Sequence, residues 1–134
     1  SFTDQRLTNG LRYRYTLVAR DEAGNSTHVV VFATPLALTT PLPGQKLKAP
    51  PLLAWAAVAK ASYYNVQLFR GKTKIMSIWP KTTKFKLVRS WRYSGHDFKL
   101  TPGRYRWYVW PGFGTRAQSK YGAMVGGSYF VVVR

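Results

Sequence analysis

Apolar and polar residues alternate along most of this chain, and no stretch repeats at a helical period. Successive side chains on a strand point to opposite faces, so this pattern commits the chain to β-structure with one face of each strand buried. The runs at 13–19 and 27–34, separated by the turn formers Asp21, Gly24 and Asn25, predict a hairpin. Asn25-Ser26-Thr27 also fits an N-glycosylation sequon. Further strands are predicted at 44–50, 51–58, 62–70, 74–79, 84–88, 104–110 and 128–134. Strands this short, at this spacing, read as an all-β sandwich. The Pro-rich stretch at 34–44 blocks ladder hydrogen bonds, so residues 36–42 are expected to be a linker, with the domain boundary near Leu38.

One motif occurs twice. Leu-Thr-Asn-Gly at 7–10 precedes Tyr13, and Leu-Thr-Pro-Gly at 100–103 precedes Tyr105, each leading into an alternating strand. The motif resembles the tyrosine corner of fibronectin type III modules, in which a Tyr hydroxyl bonds back to the connection before its strand. "LLAWAAV" around Trp55 is similar to that family's second strand, "ASYYNVQL" to its third, and "ARDEAGN" with "FATP" to its last hairpin and exit. The resemblance implies an immunoglobulin-like β-sandwich with residues 43–134 as a complete seven-strand module. It gives Tyr13 and Tyr105 the corner role and makes residues 1–35 the last three strands of a preceding module. Trp55 and Trp107 are expected in the core. Without a facing sheet, Phe2, Leu7, Tyr13, Tyr15, Leu17 and residues 29–31 would lack apolar cover. Three explanations stay open: a fragment of a longer chain, completion by strands of a neighbouring copy, or packing on the second module.

Charge is unevenly distributed. Residues 1–35 carry four Arg against Asp4, Asp21 and Glu22, whereas residues 36–134 carry 17 Lys and Arg against Asp97 alone, a net +16. Such a field favours polyanionic partners. The absence of cysteine excludes disulfides and thiolate chemistry. No apolar run is long enough for a membrane helix, so no membrane insertion is expected. His28 and His96 are far apart in sequence, Asp97 has no acidic partner in its module, and metal-ligand and nucleotide-loop spacings are missing. A non-enzyme without cofactor or metal is expected.

Strand order in the family brings the two Trp-Pro strand ends, Trp79-Pro80 and Trp110-Pro111, to one end of the sandwich. Two loops leave from there. They gather Lys60, Trp79, Lys81 and Trp110 with Phe113, Arg116, Lys120 and Tyr121 as candidate ligand contacts. Aromatics beside cations suit a sugar ring or an anionic polymer; folding of both Trp over the sandwich end as a cap is the alternative. A second candidate is the outer face of the third and sixth strands. With Tyr64, Val66, Leu68, Tyr105, Trp107 and Val109 inward, period two puts Tyr63, Asn65, Gln67 and Phe69 outward, with Arg104, Arg106 and Tyr108 beside them. These form either a protein interface or cross-strand pairs that stiffen the sheet. The expected function is a secreted or cell-surface adhesion and spacer module, its partner an anionic polymer or carbohydrate. A filament subunit that pairs with neighbouring copies is the second expectation. Single-stranded nucleic acid is disfavoured, because the resemblance is to extracellular modules.

Overall fold

The run after residue 12 and the run after residue 25 pair as predicted by their alternation. β1 (Tyr13–Arg20) and β2 (Ser26–Ala33) form an antiparallel hairpin with Tyr13 opposite Ala33 and Arg20 opposite Ser26. Asp21 closes its turn by accepting from the Asn25 backbone at 2.8 Å and the Asn25 side chain at 2.9 Å. These bonds, the side-chain one foremost, hold the Asp21 carboxyl below the usual aspartate range. Leu17, Val18, Val29 and Phe32 are each more than half exposed.

This is a computed structural model, and it describes residues 4, 7, 12–33 and 35–134. Over them the chain is all-β, and it divides into two units, Ser1–Ala37 and Leu38–Arg134. Phe2 and residues 8–10 of the first Leu-Thr-x-Gly motif lie outside the described residues, as does most of the segment expected to supply a further strand before β1.

The second unit is built from two sheets on one core. β3 (Leu38–Thr40), β5 (Leu52–Trp55) and β8 (Lys84–Lys86) make the smaller sheet, in the order β3-β5-β8. The larger runs β4 (Gln45–Leu47), β13 (Gly126–Val132), β11 (Gly103–Phe113), β6 (Tyr63–Arg70) and β7 (Thr73–Ile78). All its pairings are antiparallel except β4 with β13, which is parallel. Leu38, Leu53, Trp55 and Leu87 from one side meet Tyr64, Val66, Leu68, Trp107, Val109 and Phe130 from the other. The alternation of β6 and β11 thus places every second residue in the core. The Trp55 and Trp107 rings lie 6.4 Å apart, and Trp55 meets Tyr64 edge-on at 5.5 Å.

The unit departs from the expected strand list in three ways. The stretch expected to be linker is partly structural: Leu38–Thr40 is a strand, and Leu38 and Pro41 are buried. A proline removes only its own N–H, so the residues before it pair freely. The connection at 89–103 holds a hairpin, β9 (Ser90–Tyr93) and β10 (His96–Lys99), whose Trp91 and Phe98 rings stack at 6.1 Å. β12 (Lys120–Tyr121) adds a short strand beside β11. Residues 43–134 therefore carry ten strands, β4 to β13: β4, β5, β6, β7, β8, β11 and β13 fall on the seven expected positions, and β9, β10 and β12 are additional. β11 also continues through Pro111, whose carbonyl accepts from the Gly122 N–H at 3.0 Å.

In the second Leu-Thr-x-Gly motif, Thr101, Gly103 and the following Tyr105 each have a physical role. The fully buried Tyr105 hydroxyl accepts from the Thr101 N–H at 3.0 Å and donates to the Thr101 carbonyl at 2.9 Å. Arg70 donates to the same hydroxyl, to Thr101 Oγ1 and to the Pro102 carbonyl, bracing the connection from β6. Gly103 has φ +141, where a side chain is strained, and a Cβ there would lie 3.0 Å from the Arg70 guanidinium.

Candidate functional site

β7 and β11 both run antiparallel to β6, so they point the same way and end together. That brings Trp79, just beyond β7, and Trp110, near the end of β11, to one end of the outer sheet face. Trp79 is fixed from several sides. The Pro80 carbonyl beside it accepts from the Tyr64 N–H at 2.9 Å. Its indole N–H donates to the Tyr121 hydroxyl at 2.9 Å, and the Arg116 guanidinium lies 3.7 Å over its ring. Tyr121 reaches this position because β12 pairs with the end of β11, Tyr121 opposite Gly112.

Trp79 is a wall shared by two clefts. The first, about 500 Å³, lies on the outer face of the sheet. Its floor is polar: Asn65, Gln67 and Ser77, which occupy neighbouring positions on β6 and β7. Asn65 is buried and donates to Ser77 Oγ at 2.9 Å and to the Ile78 carbonyl at 3.3 Å, and Gln67 donates to Asn65 Oδ1 at 2.6 Å. This chain of bonds orients the amides and leaves the Gln67 carbonyl oxygen and the Ser77 hydroxyl proton without a partner among the described residues. Trp79, Trp110 and Tyr121 form aromatic walls, with Tyr93 of β9 and Lys74 at the rim. Beyond Trp110 the face continues as a groove lined by Phe69, Tyr108, Arg106 and Lys72. The Phe69 and Tyr108 rings meet edge-on at 5.6 Å.

The second cleft, about 530 Å³, is lined by Ser62, Tyr63, Trp79, Lys81 and the turn Gly114, Thr115 and Arg116. Tyr63 was expected on the outer face, but it is buried, with 4% of its surface exposed. Its ring crosses β11 at Gly112, where a Cβ would sit 2.3 Å from the ring, and meets Tyr121 edge-on at 5.8 Å. Its hydroxyl is buried and makes no hydrogen bond of ordinary geometry, the Tyr121 phenol being its polar neighbour. Burial, and next the neighbouring Tyr121 phenol, push the Tyr63 phenol above its ordinary pKa; Arg116 acts in the opposite direction.

Of the eight residues proposed from sequence as ligand contacts, Trp79, Lys81, Trp110, Arg116 and Tyr121 line these clefts. Lys60, Phe113 and Lys120 line neither. Lys60 occupies an exposed left-handed position in the turn before β6. Phe113 and Lys120 are paired opposite each other where β12 meets β11, with the Phe113 ring turned against Gly122. Sequence reasoning placed Asn65 and Gln67 on the outer face as a second candidate surface, but it passed over Ser77 and did not join this face to the Trp79 and Trp110 end. The available signal was two amides on alternate positions of a strand whose neighbour carries Trp110 opposite Asn65.

Among the described residues no three His, Asp or Glu side chains gather to hold a metal, and no helix is long and apolar enough to cross a membrane. No protein-family model matches the chain, nor does any curated protein or solved structure.

Proposed function

We propose that the chain is a non-catalytic binding and spacer module of a secreted or cell-surface protein, its second unit a fibronectin type III-like sandwich that contacts carbohydrate or an anionic polymer. The observation that carries this reading is the outer-face cleft. Rigid aromatic walls stand over an oriented amide and hydroxyl floor, an arrangement that matches the apolar C–H faces and the hydroxyl edges of a sugar ring. Trp79 is held by a hydrogen bond and a cation stack, so a ligand loses little entropy in ordering it. The Tyr105 corner, the parallel β4–β13 pairing and the two-sheet core support an immunoglobulin-like arrangement.

Trp110→Ala is expected to weaken saccharide binding about tenfold, because it removes one wall of the cleft and leaves the core untouched. Calorimetric titration of a glycan panel checks this, and undiminished affinity in the variant would place the ligand elsewhere. Binding to a charged polymer should also weaken steeply from low to high salt.

A second reading is favoured by the hairpin of the first unit, where Leu17, Val18, Val29 and Phe32 are more exposed than apolar strand residues usually are. On this reading the chain is a filament subunit in which strands of a neighbouring copy complement β1 and β2. Light scattering at low and physiological salt tests it: large particles that survive dilution support the filament, and a constant monomer mass sinks it.

A further inference from the structure

The second cleft has features that the proposed sugar contact alone does not use. Tyr63 carries a buried hydroxyl that makes no hydrogen bond of ordinary geometry and has the Tyr121 phenol as its polar neighbour, so it has donor capacity to spare. Arg116 and Lys81 line the same space. Neither meets an acid: among the described residues the one ion pair is Arg92 with Asp97. Arg116 lies over the Trp79 ring, and its guanidinium N–H groups make no hydrogen bond among the described residues, so they are free to donate. The nearby backbone donors are already committed, Gly114 N–H to Ser62 Oγ and Thr115 N–H to Gln118 Oε1. Beside the hydroxyls of Ser62, Tyr63 and Thr115, the cleft therefore offers a guanidinium edge and an ammonium that no acid neutralises.

We propose that this cleft holds the carboxylate or sulfate group of an acidic saccharide whose neighbouring sugar ring occupies the Gln67–Ser77 cleft on the other side of Trp79. The proposal rests on the binding-module reading above and names its ligand class. Two cations beside hydroxyl groups suit an anion, whereas the uncharged amide and hydroxyl floor of the first cleft suits the hydroxyl groups of a sugar. One wall, Trp79, serves both, so the two groups of the ligand are read at a fixed spacing. The oriented amide and hydroxyl floor of the first cleft also favours the hydroxyl groups of a saccharide over a single-stranded nucleic acid, which binds chiefly by stacking its bases on aromatic rings.

The test uses the full chain in calorimetric titrations with three probes: an oligosaccharide of alternating uronate and N-acetylhexosamine, its carboxyl-reduced neutral counterpart, and a short oligothymidylate. The wild type should prefer the acidic sugar over the reduced one by about tenfold or more. Tyr63→Phe keeps the ring over Gly112 and removes only the hydroxyl. It should lose about threefold to tenfold of the affinity for the acidic sugar and none for the reduced one. Lys81→Ala should act in the same selective way, while Trp110→Ala lowers both. Tryptophan fluorescence confirms that each variant is folded. Equal affinity for acidic and reduced sugars would overturn the anion cleft and leave the binding-module reading standing. A preference for acid that Tyr63→Phe and Lys81→Ala do not alter would move the charge recognition elsewhere and overturn it too. Tighter binding of oligothymidylate, or no saccharide binding at all, would overturn both.

Discussion

Trp107→Ala should destabilise the second unit by about 3–5 kcal/mol, the range found when a fully buried indole is truncated. Trp107 has no exposed surface and lies between the sheets against Trp55. A unit of this size is stable by about 5–15 kcal/mol, so the variant would lose a large part of its margin. Trp107→Phe should cost less than half as much, for two reasons. It retains most of the packing, and it deletes an indole N–H that is buried without a partner. All five Trp lie in the second unit, so a fluorescence-monitored urea titration reports that unit without interference from the hairpin. A loss below about 1 kcal/mol for Trp107→Ala would contradict the packing described.

Tyr105→Phe should cost about 2 kcal/mol, although it changes neither volume nor shape. The hydroxyl serves the Thr101 N–H, the Thr101 carbonyl and Arg70 at once. Removing it leaves two backbone groups unpaired at a connection that no ladder can satisfy. The midpoint of urea unfolding should fall with the slope unchanged, since the surface exposed on unfolding is the same. A neutral result would mean that Thr101 finds other partners and that the corner is ornamental.

How far residues announce their places differs along the chain. Trp55, Val66, Leu68 and Val109 are legible because period two and side-chain type agree, and each is buried where the alternation puts it. The Trp79 and Trp110 ends meet because strand direction alone brings them together. β9 and β10 were missed because charged residues dilute their alternation. Their signal was Ser94-Gly95, both at positive φ, between two short runs that carry aromatics. Tyr63 is the instructive failure. Its position on β6 points it outward, and it is buried only because the chain from Gly114 onward folds back and sets Tyr121 beside Gly112. That contact is long-range, and nothing within a strand's length of Tyr63 encodes it. Asn65 faces outward as its alternation requires, but its burial has the same long-range cause: the cover that makes it a floor comes from the far side of the fold.

The parallel pairing of β4 with β13 has a mechanical consequence. Gln45–Leu47 lies beside Phe130–Val132, bracketed by the bonds from Gly44 N–H to the Tyr129 carbonyl and from Val133 N–H to the Leu47 carbonyl. Once β3 has been drawn off its sheet, tension entering ahead of β4 and leaving after β13 would pull two parallel strands in opposite directions along their lengths. Their hydrogen bonds are then loaded together in shear, instead of opening one after another as in a peeled hairpin. Lifetime under load is governed by the unfolding rate and not by equilibrium stability. A strand only three residues long, placed in this direction, would therefore act as a clamp were the unit stretched from its ends.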